Sequence, residues 1–347
     1  MEKSSTYQTL QWIAEILSFK NNEAQLTSKI RATKLNWEHI VIIASQHLML
    51  PALYCQLKAK NLLPYIPTDL DEYLEELTAI NRNRNEKLLK EARAISEVLN
   101  HAQIDHVFIK GIALIAGGTF KDIGERMIGD IDILIAPSQI DEAFNLLEHK
   151  GYTENVSFNY ETKNYRHLAR QIDPNKLGAI ELHSEVLVHK YRALLDPNVL
   201  LKNKQKIDGI NVASTEDSIR IAIFTTQIND NAHFFGYIKL KTIYDCLALG
   251  LQDNVELQQV LSNIKQSQSF LKLSSIFFSE LQPFKTSSYS RLLKTYFCFK
   301  TKHPRLGWLT QKTLTFITAF LERLKLLMVN KSYRTHILKN KISIRKR

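Results

Sequence analysis

Apolar residues recur at three- and four-residue intervals over the first hundred positions, the period of a helix that turns one face inward. Leu10, Ile13, Ile16 and Leu17 form one such stripe, and Ile40, Ile43, Ala44, His47 and Leu48 form another. Two prolines between Asn61 and Pro67 interrupt the pattern and predict a connection. Thr68 then suits an N-cap, with Asp69, Asp71 and Glu72 in the first turn, where the helix dipole favours negative charge. Leu74, Leu77, Leu88, Ile95 and Leu99 carry that helix inward to about His101.

The period then shortens. The apolar run His106-Val107-Phe108-Ile109 predicts a strand ending at Lys110-Gly111, and residues 112–116 open a helix. Residues 130–135 (DIDILI) alternate polar and apolar with period two, a strand signature. Pro137 and Ser138 introduce a helix over 139–149, closed by Gly151. Residues 165–172 and 179–188 predict a hairpin, with Asp173-Pro174-Asn175 and Gly178 supplying its turn. From about Tyr191 onward the pattern is helical again. The expected class is α+β, a small mixed sheet between helical regions. Residues 1–100 form the N-terminal helical region, 101–190 the core, 191–281 a helical domain and 282–347 a basic amphipathic C-terminal region.

Composition narrows this little. With 44% hydrophobic and 23% charged residues the chain is neither disordered nor fibrous, and 11 glycines and 8 prolines are too few for a many-turned all-β protein. Charge changes the picture more. The net charge is +11, but residues 282–347 carry 16 Lys and Arg against one acid, Glu322. Residues 1–281 therefore hold 30 basic and 34 acidic side chains. A basic average is thus no evidence that the body binds nucleic acid. Three scattered cysteines, Cys55, Cys246 and Cys298, offer neither a disulfide framework nor zinc-ligand spacing and suit a reducing compartment. The first ten residues lack the apolar core of a secretory signal, and no uncharged apolar run approaches the ~18 residues a membrane span needs.

The sharpest chemistry lies at Asp130 and Asp132. Alternate residues of a strand share a face, so these two carboxylates would stand about 7 Å apart on one side of the sheet. Like charges so placed repel, and a hard divalent cation relieves the repulsion; Mg²⁺ is the usual choice beside phosphates, with Mn²⁺ also suited. Upstream, Lys110-Gly111 follows a strand and precedes a helix, where backbone N–H groups can approach a phosphate. Downstream, Glu181 supplies a third carboxylate on another strand, with His183 on the same face. No P-loop, GxGxxG, GxSxG or HExxH pattern competes.

In combination, Lys110-Gly111, Arg126-x-x-x-Asp130-Ile-Asp132-Ile-Leu-Ile135 and Glu181-Leu-His183 resemble the bacterial "uncharacterised nucleotidyltransferase" family, over roughly residues 80–250. Its superfamily shares a fold with DNA polymerase β and kanamycin nucleotidyltransferase. The resemblance implies that Asp130, Asp132 and Glu181 are catalytic and hold Mg²⁺. It also implies that Lys110, Gly111 and Arg126 bind the nucleotide phosphates. His183 would orient Glu181 or meet substrate, and Asp245, on a late helix over 237–249, matches an acid of the family. Each accessory has a plainer alternative: a loop salt bridge from Arg126 to Glu125 or Asp122, a structural histidine, and a helix pair of Asp245 with Lys241. The superfamily's glycine signature is also met in wording by Gly117-Gly118, for which a helix C-cap is the plainer reading; Gly111 is preferred because it ends the strand.

The activity implied is transfer of a nucleoside monophosphate from an NTP to an acceptor, with release of pyrophosphate. The acceptor is left open among a small molecule, a glycan precursor, a protein and RNA. The competing reading is a non-catalytic module that binds a nucleotide or glycan precursor within an assembly. The expected location is cytoplasmic. For residues 308–347, with apolar Leu309, Leu314, Ile317, Leu321, Leu324 and Leu327 at helical spacing, two readings stand level. One is an anionic membrane surface, peripheral to the inner face of the membrane; the other is a core-packed last helix with a solvated tail. Nucleic acid ranks third for this region.

Overall fold

The computed structural model describes residues 5–20, 22–33, 35–156, 166–281 and 287–339. Four helices, α1 (Thr6–Leu17), α2 (Glu23–Ala32), α3 (Trp37–Gln46) and α4 (Leu50–Ala59), bundle at the N-terminus. The long α5 (Thr68–His101) leads out of the bundle to the sheet. Pro67, rather than Thr68, is its N-cap residue. The stripe at 40–48 ends early, because Leu48 leaves α3 with φ 57° and is exposed.

Next come β1 (His106–Ile109), α6 (Lys110–Ala116), β2 (Ile131–Ile135), α7 (Ile140–His149), β3 (Glu154–Val156), β4 (Arg170–Ile172) and β5 (Ile180–His183). The predicted hairpin is present as β4 and β5, shorter than expected, and its first residue, Tyr165, lies outside the described residues. After α8 (Pro197–Lys202), β6 (Gln205–Ile207) and β7 (Ile210–Val212) form a second hairpin. Here the structure corrects the expectation that residues beyond 190 are helical. A readable signal was present, since Asp208-Gly209 turns the chain with positive φ at both residues, 46° and 84°.

The sheet runs β3-β4-β5-β2-β1-β7-β6. β2 pairs antiparallel with β1 and parallel with β5, and β7 joins parallel to β1. Ile131, Ile133 and Ile135 of β2 share one core with Ile180, Leu182, Phe108 and the second half of α5. Val107, Ile109 and Leu134 point the other way, into a core built with the N-terminal bundle and the later helices. Those are α9 (Thr215–Phe224), α11 (Leu240–Ala248), α12 (Val255–Leu261) and α13 (Lys265–Ser274), with the one-turn α10 (Ala232–Phe235) between α9 and α11. A π-helical turn, Thr225–Asn229, separates α9 from α10.

Three helices complete the described chain: α14 (Ser288–Lys302), α15 (Pro304–Val329) and α16 (Lys331–Lys339). α14 packs on α13 and α1. The reading of a core-packed last helix fails for α15, where Gly307 is the one buried residue. Residues 282–286 and 340–347 of the predicted basic region lie outside the described residues. Among the described residues no helix is long and apolar enough to cross a membrane.

Candidate active site

Strand register assembles the site. Asp132 sits opposite Ile109 on β1 and beside Glu181 on β5, and Leu134 lies beside His183. Because Ile131 and Ile133 face the α5 side, period two turns Asp132 to the other face, and Glu181 and His183 follow it. Asp132 is buried, Glu181 half-buried and His183 buried. One ligand atom from each of these three lies within 4.8 Å of the others, so the group can hold a divalent cation.

Lys110 closes the group from the β1 end. Its φ of 58° makes the chain turn sharply from strand into helix. The ammonium then reaches Asp132, with Nζ 2.5 Å from Oδ1. The same Oδ1 accepts from His183 Nε2 at 2.8 Å, and Nε2 is 3.8 Å from Glu181 Oε2. Burial pushes the Asp132 carboxyl up, but the Lys110 ammonium and the His183 hydrogen bond outweigh it and hold it at about 2. Burial and then the Lys110 charge push His183 down to about 4, against the pull of Asp132. His183 is therefore neutral near pH 7, and its Nε2–H donates to Asp132. Its Nδ1 is buried without a hydrogen-bond partner among the described residues. A ligating histidine ordinarily donates its second ring N–H to an acceptor. That requirement is unmet at Nδ1, so His183 is better suited to orient Asp132 than to ligate.

Asp130 stands apart from this group. It precedes β2 and forms an ion pair with Arg170 of β4. The trio that the structure brings together is Asp132, Glu181 and His183, not the expected Asp130, Asp132 and Glu181. Two strands away in sequence, Arg170 carried no signal of this contact.

The two glycine motifs separate cleanly. Gly117 and Gly118 end α6: Gly117 N–H donates to Ala113 O at 2.8 Å, and Gly118 takes φ 67°. They are its C-cap. Gly111 lies in the first turn of α6, beside Lys110. A Cβ there would stand 3.3 Å from Ile128 Cγ1 and 3.8 Å from the Arg126 guanidinium, so the loop after α6 packs directly on this turn.

Arg126 and Asp245, expected as separate site residues, pair with each other. Arg126 Nε donates to Asp245 Oδ1 at 2.6 Å and Nη2 to Oδ2 at 2.8 Å, with both side chains buried. Arg126 Nη1 also donates to the Met127 carbonyl. This corrects three sequence readings. The guanidinium is not open to a phosphate, its partner is neither Glu125 nor Asp122, and Asp245 is not the helix partner of Lys241. Asp122 is held by Arg82 instead, at 2.6 Å. Burial and then the Arg126 charge push Lys241 down to about 8.

Sequence reading missed how this loop is held. Asn81 and Asn85 of α5 donate to the Arg126 carbonyl at 3.2 and 2.8 Å, and to the carbonyls of Gly124 and Ile123 at 2.7 and 2.6 Å. The signal was legible in the stripe Leu74, Thr78, Asn81, Asn85, Leu88, Ala92, Ile95, Leu99, all buried. Two asparagines on an inward stripe must find partners, and here they bind loop carbonyls that no regular structure satisfies.

No curated protein matches this chain in sequence. Among solved structures, an antigenic nucleotidyltransferase-like protein from Paracoccidioides brasiliensis aligns with a TM-score of 0.35 at 18% identity, covering 58% of this chain and 95% of that one. The family described as uncharacterised nucleotidyltransferase matches residues 33–277, a span that takes in Lys110, Asp132, Glu181, His183 and the Arg126–Asp245 pair. This protein belongs to the uncharacterised nucleotidyltransferase family.

Proposed function

We propose that the chain is a Mg²⁺-dependent nucleotidyltransferase that moves a nucleoside monophosphate from an NTP to an acceptor hydroxyl and releases pyrophosphate. Family membership supports the transferase role in general. One observation carries the finer reading: two carboxylates and an orienting histidine converge beside a lysine at a strand-to-helix turn. Asp132 and Glu181 would hold the cation, with Asp130 completing the set if it exchanges Arg170 for metal. Mg²⁺, or Mn²⁺ in its place, would neutralise phosphate charge and polarise the reacting phosphorus. Lys110 binds phosphate oxygens once released from Asp132. His183 keeps the Asp132 carboxylate aimed, and Glu181 is placed to accept the proton of the attacking hydroxyl. Arg126 and Asp245 act as positioning residues that fix the loop over Gly111. The acceptor class is a small molecule, a glycan precursor, a protein side chain or RNA. Three free thiols and an NTP donor fit a cytoplasmic enzyme.

A second reading is favoured by one observation. Each acid of the Asp130/Asp132 pair already has a cation from the chain, Arg170 and Lys110. A module that binds a nucleotide or glycan precursor without turnover is consistent with such neutralised acids.

Calorimetry with each NTP and Mg²⁺, on wild type, Asp132→Asn and Glu181→Gln, tests the proposal. Metal-dependent NTP binding that both substitutions abolish is expected. Binding that survives both overturns the roles given to these acids. Labelled ATP incubated with cell extract then separates the readings: a labelled product supports transfer, and binding without product supports the module.

A further inference from the structure

α15 carries an apolar stripe that is left uncovered among the described residues. Leu306, Leu309, Phe316, Ile317, Phe320, Leu324 and Leu327 fall on one side of the helix, and every one is exposed, Phe316 to 70%. Among the described residues the helix packs on α14 through its first turns and meets α16 at its far end, where Arg334 donates to the Leu327 carbonyl. Gly307 lies against Lys300, and Thr310 Oγ1 is 3.1 Å from Tyr296 Oη, both on α14. Arg305, Lys312 and Arg323 are spaced by seven and eleven residues and so line one border of the stripe. The one acid of the region, Glu322, falls on the opposite side of the helix.

Charge decides what covers this face. Residues 282–347 carry 16 basic side chains and one acid, so a second copy of the chain would bring like charge against like. An anionic lipid surface offers an apolar layer for the stripe and headgroup charge for its basic border. The helix is 26 residues long, enough to lie about 39 Å along a bilayer surface, and it is not apolar enough to cross one. It also lies beyond residue 277, where the family match stops. We infer that α15, with the basic residues after it, is an interfacial helix that docks this protein on a membrane of anionic phospholipids. The inference stands independently of the activity proposed above.

Flotation of the full chain with vesicles of phosphatidylcholine, with and without phosphatidylglycerol, tests it. Wild type is expected to float with the anionic vesicles only, and less so as salt rises. Phe316→Ser/Phe320→Ser lowers the bound fraction by roughly tenfold or more. Lys312→Glu/Arg323→Glu lowers it as well and weakens the salt dependence. All four side chains are exposed, and matching circular dichroism spectra confirm an intact fold. The inference is overturned if wild type does not float, if it floats equally on neutral vesicles, or if Phe316→Ser/Phe320→Ser floats like wild type. A wild-type dimer that the same serine substitutions split, with no vesicle binding, assigns the face to a second copy instead.

Discussion

Replacing Asp245 by asparagine strips a buried guanidinium of its counter-charge. The Arg126 and Asp245 side chains are 8% and 5% exposed, and two hydrogen bonds of 2.6 and 2.8 Å join them. Charge centres about 4 Å apart attract by about 4 kcal/mol at an effective dielectric near 20. Much of that attraction offsets desolvation while the pair is intact, so the pair itself contributes little net stability. Breaking it exposes the desolvation cost, and Asp245→Asn should destabilise the fold by about 3–5 kcal/mol. Arg126→Met/Asp245→Leu leaves no buried charge and should cost less than Asp245→Asn alone. Urea unfolding followed by circular dichroism yields these differences, and a double-mutant cycle yields their coupling, expected at about 3 kcal/mol. A second readout is Lys241. Asp245 opposes the downward push on its ammonium, so Asp245→Asn should carry it below its value of about 8. A loss under about 1 kcal/mol for Asp245→Asn, or strictly additive substitutions, refutes the reasoning.

Three further outcomes are expected. Lys110→Met removes the ammonium from Asp132, so Mn²⁺ should bind several-fold tighter without nucleotide while NTP binds more weakly; calorimetry showing unchanged Mn²⁺ affinity would count against the Lys110–Asp132 contact. Gly178→Ala puts a Cβ 2.5 Å from Ile131 Cδ1 and 2.8 Å from Glu91 Oε2, beside the strand that carries Asp132; it should cost about 1–3 kcal/mol in chemical denaturation. His47 is pushed down to about 4 by burial and then by Lys239, while its Nδ1 accepts the Leu240 N–H. Between about pH 6.5 and 4 the unfolded chain then binds a proton that the folded chain refuses, so stability falls as pH drops through that window. His47→Gln should flatten this part of a stability-versus-pH profile, and an unchanged slope would exclude His47 as a contributor.

The sequence alone determined the local pieces. Helical stripes, the strand at β2 and the turn at Lys110-Gly111 each depend on residues a few positions apart, and periodicity reads such spacing directly. The face shared by Glu181 and His183 was legible for the same reason. It did not determine which groups meet. Asp132 finds Lys110 and His183 because β2 lies between β1 and β5 in one register. Arg126 finds Asp245 across 119 positions because α11 packs over the loop after α6. Asp130, two residues from Asp132, is drawn instead to Arg170 on another strand. Strands of three residues, such as β6 and β7, are too short for a period-two pattern to show in the sequence, so only the Asp208-Gly209 turn marked them, and sheet neighbours complete them. The apolar stripe of α15 was equally plain in sequence, but amphipathic spacing is the same whether a helix face meets a core or a surface. Only the packing of the described residues, which hold α15 at its first turns and at its end against α16, decided that this face looks outward.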